Sequence, residues 1–391
     1  MYSGSECSSF IREMRMEMQV IGLSVLTIGF CAGSALTQAM IQPEDRWALV
    51  GDPGNRNASD EEMPWDVNID LGSVEYLFRL SRFEVTNLEY MEFAEAYAPF
   101  YFLNRPELTE AEIDFSGWNL EITRSNILLV GSDFNQAANM GWEYAARYVN
   151  WLHHGKVSEE WAFETGVFDT STFPQIDGEP WAPQSEHSPG ARFWIPTRDE
   201  WAKAAYWDPN KHGEGIGGYW RYPNGTDHAL QPGIPPSEGG VRNAGDPADG
   251  FPFSIHSFPN TQSPFGLFDL SGGEWEWVER RSNGPIHTRG FIGSAWFDTL
   301  YNEPYCIGLY DLDRLGYSGG SPVEVPRGLR IATGMYDPAD FTQDGQVNFF
   351  DVSAFVAHAI DGDSRADLRN DGIFDIDDIR VFLGLYTNQL Y

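Results

Sequence analysis

The chain has 391 residues, and its 14 Trp, 17 Tyr and 26 Phe supply enough aromatic material for a large core and exclude a disordered composition. Its formal net charge of −33 repels nucleic acid and anionic lipid, so neither is an expected partner, and it attracts cations. The 40 Gly and 24 Pro favour a loop-rich fold over a helical bundle.

Residues 20–35 form an apolar run, VIGLSVLTIGFCAGSA, preceded by Arg12 and Arg15. Such a run has the size of a signal-peptide core and is short for a membrane span; an uncleaved anchor helix is the alternative. Glu6, Glu13 and Glu17 dilute the basic flank, and a start at Met14, Met16 or Met18 would leave a cleaner signal. Ala35 and Ala39 offer cleavage sites. The expected organisation is a signal peptide over 1–39, a central domain over 40–335 and a tail over 336–391. The expected location is secreted or cell surface, with no membrane span after cleavage. Cys7 and Cys31 would leave with the signal, and Cys306 alone cannot form an internal disulfide. Bound calcium is a candidate substitute for that rigidity.

Within the central domain, residues 76–85 read as a strand. A helix is predicted over 87–96, capped by Thr86 or Asn87 and carrying Tyr90 and Phe93 into the core. A second is predicted over 141–153, where Tyr144, Tyr148, Trp151 and Leu152 recur at helical spacing. His153 and His154 end it, where a cation would satisfy the dipole. A third, over 198–206, opens at Pro196 and Thr197 with Asp199 and Glu200 in its first turn and Trp201 facing inward. Strands and loops fill the remainder to Thr333. Composition then shifts near Gly334, with Pro338 as punctuation, to Asp-rich loops alternating with short apolar helices.

The segment FGLFDLSGGEWEW over 265–277 sets Asp269 and Glu276 among Phe268, Leu270, Trp275 and Trp277. Buried carboxylates need a counter-charge. Gly272 and Gly273 free the backbone to turn its carbonyls inward, and carboxylates plus a tight turn suit Ca²⁺. The competing reading is a hydrogen-bonded turn without metal.

Five segments in order carry a family resemblance: RFEVTN over 82–87 with Tyr90, WEYAARYVNWL over 142–152, FWIPTRDEWAKAA over 193–205, FGLFDLSGGEWEW, and RGLRIA over 327–332. Together the chain over 45–335 resembles the formylglycine-generating enzyme (sulfatase-modifying factor) family. The resemblance implies an α+β fold, an irregular variant of the C-type lectin. It also implies calcium ligands at Asp269 and Glu276 with the carbonyls of Gly272 and Glu274. A second set maps to Asn243, Asp249 and the carbonyls of Ala244 and Phe251. The family's enzyme oxidises a target cysteine using copper held by two cysteines, soft ligands for Cu(I). Here the corresponding stretch is RGFIGSAW over 289–296, and the paired positions fall at about Asp298 and Glu303, both hard oxygen ligands, with Cys306 nearby. The known oxidation is therefore not expected, and no catalytic residue is assigned. His287 with Asp298 and Glu303 offers a hard-metal set whose spacing demands nothing.

The tail opens on an EF-hand-like loop: Asp340, Thr342, Asp344, Asn348 and Asp351 at ligand positions 1, 3, 5, 9 and 12, Gly345 at position 6 and the Gln346 carbonyl at position 7. A second loop offers Asp367, Asp371, Asp375 and Asp378 with the Ile373 carbonyl, but Arg369 at position 3 should weaken it. Apolar helices over 352–360 and 379–385 follow the loops. One helix after each loop, with Asp at position 12, resembles a dockerin, a small α-helical module that docks to a cohesin domain. The expected whole is a non-catalytic calcium-binding display protein with a cohesin-like or cell-surface partner and an unspecified carbohydrate or protein ligand. The alternative is a divergent copper or nonheme-iron oxidase of the same family.

Overall fold

The computed structural model describes residues 46–62, 70–173, 184, 186–228, 253–281, 289–295, 326–335, 339–342, 347–369 and 371–388. The predicted signal peptide lies outside them, as do Asn243, Ala244, Asp249, Phe251, His287, Asp298, Glu303, Cys306, Asp344 and Gln346. Two compact units divide the chain, Met1–Ile41 and Gln42–Tyr391, and the described residues all belong to the second. Among them no helix is long and apolar enough to cross a membrane.

The elements run β1 (Trp47–Val50), β2 (Phe78–Ser81), α1 (Asn87–Leu103), α2 (Ile113–Ser116), β3 (Leu120–Ile122), β4 (Ile127–Leu129), α3 (Trp142–His153), α4 (Glu160–Glu164) and β5 (Phe193–Trp194). Then come α5 (Arg198–Tyr206), β6 (Trp207–Asp208), β7 (Gly218–Tyr219), β8 (Glu276–Arg281), β9 (Arg289–Ile292), β10 (Ala332–Thr333), α6 (Phe349–Asp361) and α7 (Ile376–Asn388). The mixture of helices and short strands agrees with the α+β expectation. A four-stranded antiparallel sheet has the order β1-β2-β10-β5. Ala332 pairs with Leu80 on one side and Trp194 on the other, so the RGLRIA segment fills the sheet's centre. The other described strands form two-stranded ribbons, β8 with β9 among them.

Local chemistry sets the helix starts. Thr86 and Thr197 each close a capping box, their side chains accepting from the amides of Glu89 and Glu200 while those glutamates accept from the cap amides. Each cap is worth about 1 kcal/mol. Helix α1 continues past the predicted end at Ala96 to Leu103, through Pro99, because Tyr97, Tyr101 and Phe102 extend its buried face. The predicted strand over 76–85 shortens to β2, since Arg82 to Val85 bend away to lead into the Thr86 cap. Phe93 is the hub of the core, with ring contacts to Tyr90, Tyr97, Phe115, Tyr148, Trp151 and Phe163. Trp201 is fully buried, as its position on α5 predicts.

The histidines at the end of α3 are not the cation expected there. Burial drives His153 well below its ordinary pKa, and burial with the Arg192 charge takes His154 down to about 3, so both are neutral at pH 7. Arg192 supplies the charge instead: its Nη1 donates to the His153 carbonyl at 3.1 Å.

The tail helices are longer than predicted. Asn348 caps α6 in a capping box with Asp351, which moves its start back to Phe349, and Gly362 ends it in the left-handed conformation. Residues on both sides of the predicted boundary near 334–338 belong to one compact unit, and Phe355, Val381, Phe382 and Leu385 join the same hydrophobic cluster as the central domain.

Candidate functional site

The FGLFDLSGGEWEW segment delivers its carboxylates into the core beside the central sheet. Glu276, at the start of β8, is 1% exposed, and Arg330 is fully buried. Arg330 Nη2 lies 3.0 Å from Glu276 Oε1 and its Nε 3.0 Å from Oε2, while Trp201 Nε1 donates to Oε2 at 2.7 Å. The remaining Arg330 nitrogen, Nη1, donates to the Ser81 carbonyl, and Nη2 also reaches the Phe268 carbonyl. A buried carboxylate does need a counter-charge, and here the protein supplies it from Arg330.

Glu84, from the FEVTN segment, completes the cluster. Its carboxyl accepts from the Glu274 amide at 2.7 Å. It lies so close to Gly273 that a Cβ there would sit 2.1 Å from Glu84 Oε2, which explains the second glycine of the pair. Burial and the charge of Glu276 push Glu84 well above the usual carboxylate range. Asp269 adopts φ +58° and accepts from the His256 amide at 2.6 Å. Gly272 turns at φ +110° and donates its amide to the Ser294 carbonyl. The turn therefore joins Ser294, just past β9 in the RGFIGSAW stretch, to the Glu276 cluster. Calcium at Asp269, Gly272, Glu274 and Glu276 would have to share Glu276 with Arg330.

A second titratable group lies further along β8. Glu279, 1% exposed, accepts from His187 Nδ1 at 2.8 Å and from the His187 amide. His187 stacks on Trp194, whose Nε1 donates to both oxygens of Glu200. Burial pushes Glu279 up to about 7, an effect its bond to His187 only partly reverses, and that bond raises His187 against its own burial. Both directions mean that the pair holds an extra proton near neutrality. The buried carboxylate orients an imidazole that keeps about a quarter of its surface exposed. Such a pair can hold or pass a proton, and by itself it defines no reaction. No local pattern marks this pair, because the partners are 92 residues apart.

In the tail's first loop, Asp340 and Asp351 are both buried, and the Thr342 hydroxyl lies 3.2 Å from Asp340 Oδ1 and 2.9 Å from Asp351 Oδ1. Burial pushes Asp351 up, but donors from Asn348 and Thr342 outweigh it and hold the carboxyl below its usual range. Two buried carboxylates and a hydroxyl in one loop are a hard-oxygen donor set that fits Ca²⁺. The second loop is built differently. Asp367 accepts from the amides of Asp371 and Gly372, and Asp378 from those of Arg369 and Asp375. The Arg369 guanidinium sits among the remaining carboxylates, with Nη1 3.0 Å from Asp371, 3.7 Å from Asp375 and 3.6 Å from Asp377. Among the described residues, no group of three or more His, Cys, Asp or Glu side chains is arranged to hold a metal ion, although all four predicted aspartates of this second loop are described.

The profile of the sulfatase-modifying factor enzyme 1-like domain matches residues 72–302, more than half of the chain. The chain belongs to this family. The match takes in the FEVTN, WEYAARYVNWL, FWIPTRDEW and GLFDLSGGEWEW segments and stops before the RGLRIA segment and the tail. No curated protein matches the chain. Among solved structures it is similar to the crystal structure of CarF, at 18% identity and a TM-score of 0.40 over 74% of this chain and 98% of that one. It is also similar to PvdO from Pseudomonas aeruginosa, at 15% identity and a TM-score of 0.38 over 74% of this chain and 94% of that one.

Proposed function

We propose that the protein is a secreted or cell-surface calcium-binding display protein, in which a sulfatase-modifying-factor domain without oxidase chemistry is carried by a dockerin-like tail. The first tail loop carries this reading: the Thr342 hydroxyl lies within hydrogen-bond distance of both Asp340 and Asp351, two buried carboxylates. The sequence supports the absence of oxidase chemistry, since Asp298 and Glu303 stand where the family's two copper-holding cysteines are expected. The outward face of α6 supports a docking role. Phe349 is 70% and Ile360 78% exposed, and with Phe350 and Val356 they form an apolar stripe on an aspartate-rich module. A cohesin-like protein with an apolar patch and a basic rim has the chemistry to cover that stripe.

Calorimetric titration of the full-length protein with calcium tests the reading. One clear site is expected, and Asp340→Asn should weaken it by roughly tenfold or more through the lost ligand charge. Calcium at about a hundred times the dissociation constant should stabilise the protein by roughly 2.7 kcal/mol. No calcium heat, or two equal tail sites, would contradict it.

A further inference from the structure

The second tail loop and α7 do not stand free of the central domain. Gly155, just past α3, and Gly384, in α7, meet backbone to backbone. A Cβ on Gly384 would lie 2.1 Å from the Gly155 carbonyl oxygen, and one on Gly155 would lie 2.6 Å from both the Val381 carbonyl oxygen and the Leu385 amide. Only glycine at both positions permits that approach. Around this contact Val381, Phe382 and Leu385 are buried. The loop is fastened from above as well. The Arg369 guanidinium stacks 4.5 Å over the Trp161 ring of α4. Arg192 of the central domain donates through Nη1 to the Leu368 carbonyl at 3.1 Å. Burial lowers Arg192 to about 10, and the charges of Asp378 and Asp367 oppose that fall. Arg380 reaches Glu159 at 3.5 Å on the exposed rim.

Two guanidinium groups therefore offset part of the charge of one acidic loop, Arg369 from within and Arg192 beside the Leu368 carbonyl. A divalent ion in that loop would meet two like charges and would have to expel Arg369 from Asp371, Asp375 and Asp377. We infer that the second loop is a metal-free latch, in which Arg369 replaces the calcium ion and clamps α7 to the central domain through Trp161. Arg369 is suited to this because its planar fork can bridge carboxylates while its face stacks on an indole. The latch leaves α6 as the tail's outward face and makes α7 an intramolecular brace. It stands whether or not the first loop binds calcium.

Hydrogen exchange of the full-length protein, measured in calcium and in chelator, separates the alternatives. In the unsubstituted protein, the amides of α7 and of residues 155–161 should exchange at the same rate in both conditions. Arg369→Ala should speed exchange in both segments by roughly tenfold or more in either condition, as loss of a local docking contact does. Gly384→Leu should undock the same segments without touching the loop's charges. Arg369→Asp should make α7 protection calcium-dependent, because it restores an oxygen ligand and removes the internal cation. The latch is overturned if chelator speeds α7 exchange in the unsubstituted protein, or if Arg369→Ala leaves both segments as protected as before. Faster exchange confined to residues 340–351 in chelator supports the latch. Loss of calcium response in the first loop alone would count against the proposed function and leave the latch intact.

Discussion

Replacing Arg330 by Met is expected to lower stability by about 3–5 kcal/mol, the penalty for breaking a buried ion pair from one side. The size follows from what the guanidinium touches. It is fully buried and serves both oxygens of Glu276 and the carbonyls of Ser81 and Phe268. Its removal strands a carboxylate that only Trp201 still contacts in that cluster, next to Glu84, whose carboxyl burial and the Glu276 charge already push upward. Glu276→Leu combined with Arg330→Met should recover part of the loss, because the paired substitution leaves no lone charge. Denaturant unfolding of the two variants gives both numbers. A loss of about 1 kcal/mol or less for Arg330→Met, the range of exposed pairs, would show that the cluster is open to water.

Stability is also expected to fall as pH rises from about 4.5 to about 7, with Glu279 and Glu143 the chief contributors. Its carboxyl rises from 4.5 to about 7 on folding through burial, so the folded state binds more protons than the unfolded one across that window. The stabilisation is complete below the unfolded value and is lost as pH passes the folded one. His187, raised by the same contact, acts in the same direction. Glu143 is likewise raised to about 7 and Asp114 to about 6, both chiefly by burial. A shift of this size corresponds to roughly 3–4 kcal/mol for Glu279, with the His187 coupling included in that order of magnitude. Glu62 works oppositely: although its burial opposes it, Arg56 and backbone amides lower it to about 2, so its contribution disappears in acid. Melting temperatures in chelator should therefore peak near pH 5, and Glu279→Gln should flatten the neutral limb. A melting temperature that climbs from pH 5 to 7 in both proteins would contradict the assignment.

The parts of the fold legible in the sequence are those with local causes. Thr86 and Thr197 cap their helices through partners three residues on, and the apolar spacing of Tyr144, Tyr148 and Trp151 marks the buried face of α3. The site was half legible. Of the two carboxylates set among aromatic residues, Glu276 is buried and Asp269 partly so, but the pattern could not name the cation, because Arg330 stands 54 residues beyond Glu276. The same holds for Arg369. Its position in a ligand slot was visible, whereas its seat on Trp161 depends on how the tail folds back onto α4. His153 and His154 read as a charged helix end because nothing local reveals that both would be buried beside Arg192.

Elemental analysis of the full-length protein, purified without added metal, tests the central reading most directly. Calcium retained by the protein, with copper and iron far below one atom per chain, is the expected result. Copper or iron at one atom per chain would contradict it and return the sulfatase-modifying-factor domain to metal-dependent oxidation.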